Sequence, residues 1–211
     1  MKGIFIFSLV QCTLLLITFA GFGQSSGIGV YDADGWTIIE PGPDSKIIYI
    51  SSSDGDDANN GLSPSSPKKT IEAGGFLMRE GYPDHLLLKR GDTWIMGEGL
   101  GALYSGRSAA EPMVVSYYGE EGDRPLVKTE RPFVMIREQK RSNLAFVGLE
   151  LYAFKHDPGS PDYESESGVS GISMINSGGE NILIEDCKFN YMQMGVYTAG
   201  RGKTGELKNL N

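Results

Sequence analysis

The chain has 211 residues, 40% of them hydrophobic, with 29 glycines and a formal net charge of −8. That is enough apolar material for one domain, distributed through many tight turns rather than long helices. No basic patch is concentrated anywhere along it, which excludes nucleic acid as its principal partner; an anionic polysaccharide is not excluded, because a local basic cleft can sit on an acidic body.

Residues 1–23 have the three parts of a secretory signal. Lys2 is the basic end, residues 4–19 are an almost unbroken apolar run, and Ala20, Gly21 and Gly23 offer small residues for cleavage. The run lies near the lower length limit for a membrane span and no basic stop-transfer cluster follows it. The expectation is therefore a secreted or periplasmic protein with no membrane association once the signal is cleaved. Cleavage removes Cys12 and leaves Cys187 alone, so no intrachain disulfide is expected. The place of Cys187 in an alternating run reads as a core thiol.

Residues 24–45 are rich in Gly, Ser, Asp and Pro and read as an extended lead-in anchored by Trp36, Ile38 and Ile39. Residues 46–82 are expected to form an N-terminal strand, a loop and a capping helix. Residues 46–51 (KIIYIS) alternate and are β-branched, as a strand requires. Residues 54–67 (DGDDANNGLSPSSP) form a loop, with Asn60-Gly61 as its turn and Pro64 and Pro67 forbidding regular pairing. Ser66-Pro67 resembles an N-cap and first helical residue, and Gly81 a stop, so the pattern predicts a helix over 67–80. Ile71, Gly74, Gly75 and Met78 share one face of it, suited to covering the apolar end of a stack of strands.

From residue 83 onward the chain is strands and turns, and its pattern repeats. Leu144, Phe146, Leu149 and Leu151 fall on Ile182, Ile184, Cys187 and Phe189 at a constant offset of 38 residues. Val134 and Ile136 fall on Ile172 and Met174 by the same offset. A second offset, 24, carries Gly171-Ile172 onto Gly195-Val196. Alternation with period two inside repeats of this length predicts a solenoid of strands over 83–211, and the parity break between Ile184 and Cys187 predicts a corner there. Asn143 and Asn181, equivalent in successive coils, read as a stacked amide ladder at a turn. Residues 205–211 begin what the repeat says is another strand pair, with nothing polar-faced to close it. The chain is thus expected to be the N-terminal part of a longer protein.

The stretches YISSSDGDDANNGLSPSSPKKTIEAG, LLLKRGDTW and SGRSAAEPMVVSYYGEEGDRPLV, in that order, resemble the N-terminal portion of secreted right-handed parallel β-helix proteins of the pectin-lyase-like superfamily. The resemblance covers about residues 46–211. It implies an all-β fold, a right-handed parallel β-helix with an N-terminal capping α-helix. It also implies a polysaccharide partner and lyase or glycoside hydrolase activity. In the enzymes of that superfamily the cleft usually lies over middle coils, which would fall mostly beyond Asn211. No catalytic residue is carried over to this chain. The alternative is a non-catalytic β-helix that binds glycans or serves as a surface spacer.

Local chemistry is sparse, with no Ser-His-Asp set, CxxC, HExxH or phosphate-binding glycine loop. Asp54, Asp56 and Asp57 suggest a Ca2+ loop, but Ala58 and Asn59 break the EF-hand pattern, so a structural turn is the first reading and a Ca2+ site the second. No other cofactor is implied. Arg90-Gly91-Asp92 reads as a turn following a strand. The insert over 155–169 (KHDPGSPDYESESGV) is the longest polar interruption in the repeat, and inserts of that length are usually functional or disordered. It brings Lys155, His156 and Asp157 together, a cation and an imidazole that could hold a uronate or move a proton. A solvated acidic loop is its plainer reading.

Overall fold

The structure is a computed structural model that describes residue 35, residues 37–100, 103–165, 168–176 and 178–200. The expected signal segment, Trp36, Glu166 and the terminal stretch from 201 lie outside the described residues. In chain order the elements are β1 (Ile47–Ile50), α1 (Ile71–Gly75), β2 (His85–Lys89), β3 (Thr93–Met96), β4 (Met113–Tyr118), β5 (Leu126–Thr129) and β6 (Val134–Arg137). They continue with β7 (Leu144–Val147), β8 (Glu150–Tyr152), β9 (Ser170–Ile175), β10 (Ile182–Glu185), β11 (Lys188–Asn190) and β12 (Met194–Ala199), with a single 3-10 turn at Phe154–His156.

The strands stack into three parallel sheets, ordered β1-β2-β4-β7-β10, β3-β5-β8-β11 and β6-β9-β12. Successive strands of the chain go to different sheets, and each sheet is made by strands from successive passes. This is a nearly all-β, β-helix-like arrangement with almost no helix. The two offsets read in the sequence are its registers. Leu144 pairs with Ile182 and Phe146 with Ile184; Leu151 pairs with Phe189, and Val134 with Ile172. The shorter offset pairs Ile172 with Val196.

Stacking in register puts like on like along the interior. Ile48, Leu86, Val115, Phe146 and Ile184 form one column, and Trp94, Val127, Leu151 and Phe189 another. Leu144, Phe146, Leu149, Leu151, Ile172, Met174 and Ile182 are buried, as expected. Ile184, Cys187, Phe189 and Val196 pack on the same core but are only half-buried, because they belong to the last described pass. A fully buried side chain of this size contributes about 1.5–3 kcal/mol, so the columns supply most of the cohesion.

The corners repeat as faithfully as the strands. Glu138 and Asn176, Asn143 and Asn181, and Gly148 and Asp186 are three pairs at the same offset, and all six have positive φ between 50° and 70°. Asn143 and Asn181 are suited to it because a short amide tolerates the left-handed region. Their side chains also form the ladder: Asn181 Nδ2 donates to Asn143 Oδ1 at 2.8 Å, and Asn143 Nδ2 to the Gly106 carbonyl at 3.2 Å. Gly148 is required twice over, since a Cβ there would lie 2.2 Å from the Tyr117 ring. One pass later no such ring intrudes and Asp186 takes the position, pairing with Arg124.

One expectation is corrected. The helix is Ile71–Gly75, not 67–80, and its N-cap is Thr70, whose side chain accepts from the Ala73 N–H. Ser66 and Pro67 do not start it because β1 needs the intervening residues. Lys68 exchanges backbone hydrogen bonds with Tyr49 and Ser51, which covers the outer edge of β1. The expected apolar face is nonetheless turned inward. Ile71 and Met78 are buried and Gly74 lies against Ile50 and Leu86, whereas Phe76, just past the helix, is 88% exposed.

The lead-in has a structural role that composition did not disclose. The outward side chains of the five-stranded sheet include Val114, Ala145 and Leu183, an apolar strip on which Ile39 packs. Thr37 reaches Glu185 on β10 through its N–H (3.1 Å) and hydroxyl (3.3 Å), while Asp44 is held by Arg107 near the other end. Residues 37–45 therefore run as a strap over the outside of this sheet, tying its last described strand to its first.

Candidate functional site

Each of the three candidates in the insert is engaged by neighbouring groups. Ala153 and Phe154 are buried and anchor the 3-10 turn that carries Lys155 and His156 outward. Lys155 Nζ lies 2.8 Å from Glu164 and 3.1 Å from Glu130, and these two carboxylates, Glu164 first, hold its ammonium above the ordinary lysine range. The Lys155 carbonyl accepts from the Glu164 N–H at 2.8 Å, which closes the base of the loop. His156 Nδ1 is 2.8 Å from the Ser165 carbonyl. Asp157 accepts from the Tyr152 hydroxyl (2.6 Å) and the Gly159 N–H (2.7 Å). The tyrosine hydroxyl is the main reason its carboxyl sits below the usual range, with Tyr191 contributing as well. Lys155, His156 and Asp157 are thus adjacent in sequence but turn to separate sets of partners.

Asp54, Asp56 and Asp57 do not converge on a common point. Asp54 pairs with Lys89, and Asp56 accepts from the Ala58 N–H at 2.9 Å in a local turn. Asp57 accepts from the N–H groups of Lys69 and Thr70 and from the Thr70 hydroxyl, all at 2.9 Å. Burial pushes its carboxyl up, but those donors outweigh it and the net shift is downward. Among the described residues no three His, Cys, Asp or Glu side chains gather as a metal site. As placed, the three carboxylates face different partners, and Asp57 is the one engaged by several donors. Asp92 of the Arg90-Gly91-Asp92 turn is buried, accepting from Ser51 Oγ (2.7 Å) and Ser53 Oγ (2.8 Å), so the tripeptide is a corner. Cys187 donates to the Phe146 carbonyl at 3.5 Å, and burial pushes its thiol up, away from nucleophile or ligand chemistry.

Sequence reasoning missed the surface beside the insert. The outward rows of the four-stranded sheet are Thr93, Leu126, Glu150, Lys188 and Ile95, Lys128, Tyr152, Asn190. Next to Asn190, Tyr191 turns its ring toward Tyr152, with centroids 6.0 Å apart and planes inclined at 58°. Lys128 Nζ sits 5.9 Å from the Tyr152 ring centre. Glu150 accepts from Lys188 (3.0 Å) and Asn190 (2.6 Å), bracing the row from the side. The signal was present in the strand registers, but it needed residues from three different strands and the corner at Tyr191 to be placed side by side.

No protein-family model matches the chain, and no curated protein matches it. Solved structures do. The GH136 lacto-N-biosidase from Eubacterium ramulus is similar at TM-score 0.52 and 20% identity, over 68% of this chain and 26% of that one. A rhamnogalacturonan lyase is similar at TM-score 0.52 and 16% identity, over 71% of this chain and 38% of that one. Both are β-helix carbohydrate-active enzymes. At these identities the likeness shows the fold, and the chain spans between about a quarter and two fifths of the length of these two proteins.

Proposed function

We propose that this chain forms the N-terminal coils of an exported right-handed β-helix protein that acts on polysaccharide, by lyase or glycoside hydrolase chemistry. The observation that carries the reading is the coiled stack of parallel strands in register, shared with one glycoside hydrolase and one polysaccharide lyase. Crossovers between parallel strands are right-handed in nearly all proteins, which supports the handedness. The burial of Ile71 and Met78 beside β1 and β2 supports α1 as the cover of the N-terminal end. The signal-like residues 1–23 support export. In this reading the insert is a side wall of the glycan-bearing surface, with Lys155, His156 and Asp157 as its polar groups. A non-catalytic glycan-binding protein is the second reading, favoured by the engagement of all three of those groups.

The test is to incubate the full-length secreted protein with a panel of neutral and uronate-containing polysaccharides, with and without Ca2+. Reducing ends without an unsaturated sugar mean hydrolysis, and an unsaturated non-reducing end means elimination. Binding without any new end selects the second reading. No binding and no cleavage across the panel would contradict both.

A further inference from the structure

We propose that Tyr152 and Tyr191, oriented by Asp157 and flanked by Lys128, form a stacking platform for one hexopyranose ring of a glycan chain. The proposal rests on the polysaccharide reading above and adds where on the molecule the chain is gripped.

Four observations converge. Tyr191 is 55% exposed although it is a large aromatic, and it stands beside a second tyrosine rather than alone. The two rings are inclined to each other, Tyr191 exposed and Tyr152 half-buried. The C–H face of a pyranose is apolar and sits well against an aromatic face, as other flat amphipathic rings do. Second, the rings are not free to collapse onto the surface. The Tyr152 hydroxyl is held by Asp157 Oδ2 at 2.6 Å, and Asp157 is itself fixed by the Gly159 N–H. Such fixing removes rotamer entropy before a ligand arrives.

Third, Tyr191 has φ of 54°. A bulky residue in the left-handed region costs on the order of 1 kcal/mol or more where glycine would cost nothing. Gly148, Asn143 and Asn181 are suited to such corners, whereas Glu138 and Tyr191 are the long side chains that take one. Ala153 is the equivalent of Tyr191 one pass earlier at the 38-residue offset and does not share that backbone, so the coil geometry does not demand it. Fourth, Lys128 is a cation whose ammonium makes one ring contact, to Tyr152, and no ion pair or side-chain hydrogen bond among the described residues. It has donors to spare for the oxygens of a bound sugar, whether hydroxyl, carboxylate or sulfate. Neighbouring Lys188 lacks this freedom because Glu150 holds it.

The test uses the full-length protein and the glycans that bind it, with affinity read by titration calorimetry. Tyr191→Ala should weaken binding about tenfold, the loss of one stacked aromatic contact, with the thermal midpoint little changed. Tyr191→Phe should keep most of the affinity and lose far less than Tyr191→Ala, because the ring carries the contact and the hydroxyl only helps Asp157 orient it. Lys128→Gln should also weaken binding. A loss confined to acidic glycans, removed by added salt, makes the acceptor a carboxylate or sulfate; an equal loss with neutral glycans makes it a hydroxyl, and either supports the platform. If the wild type binds glycan and Tyr191→Ala binds as tightly, the platform is wrong while the polysaccharide reading stands. If the wild type binds none, the polysaccharide reading itself fails and takes the platform with it.

Discussion

Two outer faces of this molecule are built from the same kind of strand and have opposite fates. On the five-stranded sheet the outward strip of Val114, Ala145 and Leu183 is apolar, and the strap over 37–45 covers it, leaving these side chains 3% exposed or less. On the four-stranded sheet the outward rows mix Ile95, Lys128, Tyr152, Asn190 and Tyr191, and among the described residues no segment covers them; Ile95 is 68% exposed. A stack of coils has to bury only its interior, so the exterior of each sheet is free to be used. Here one face serves cohesion and the other stays available. The difference shows in chemistry: the covered row is apolar apart from His85, and the open one holds aromatic and charged groups in fixed geometry.

The largest effect that separates the two faces is packing. Leu183→Ala should cost about 2–5 kcal/mol, because the strap and neighbouring strands cannot collapse into the gap. Ile95→Ala on the open face should stay within about 0.5 kcal/mol. Equilibrium denaturation of both variants measures the contrast, and equal losses would mean that the strap covers nothing.

His85 sharpens the comparison through pH. Its side chain lies in the covered row between Ile47 and Val114, 4% exposed, and its Nε2 has no hydrogen-bond partner. Burial lowers its pKa to about 4, with Asp84 pulling the other way. The unfolded chain therefore takes up this proton first, near pH 6.5, and stability falls as pH drops from there to about 4. The full swing is about 3 kcal/mol. His85→Leu should flatten that part of the pH profile, and an unchanged profile would place the sensitivity elsewhere.

Smaller effects concern the latch and the platform. Glu185→Gln weakens the acceptor for Thr37 and should cost about 1 kcal/mol, with faster amide exchange confined to the strap and β10. Tyr191→Gly should do the reverse and stabilise the fold by up to about 1 kcal/mol, since glycine relieves the positive φ. A stability gain paired with loss of glycan binding is the signature of a strained residue kept for function; a stability loss would show that Tyr191 is a packing residue.

Much of the fold was legible because a coil repeats itself in sequence. The offsets of Leu144 to Ile182 and of Ile172 to Val196 are the hydrogen-bonded registers, and the asparagine ladder is where the repeat placed it. The helix start was misplaced because Ser66-Pro67 has the local chemistry of a cap, while the unpaired edge of β1 claims Lys68 for a strand-like pairing that only tertiary structure reveals. The strap was invisible for a related reason: a Gly- and Pro-rich segment carries no period, and its partner Glu185 is 148 residues away. The insert stood out in the sequence as an exposed polar interruption, and its three polar residues are divided among Glu130, Glu164, Ser165 and Tyr152. The tyrosine pair depends on a corner conformation at Tyr191 that no spacing rule announces.

Hydroxyl-radical footprinting of the full-length protein, with and without a saturating bound oligosaccharide, tests the division of faces most directly. The account predicts protection of Tyr152, Tyr191 and Ile95 on the four-stranded face. It predicts no change at Met135 and Met194, which are exposed on the three-stranded sheet. Protection of Met135 and Met194 with Tyr191 unaffected would contradict it.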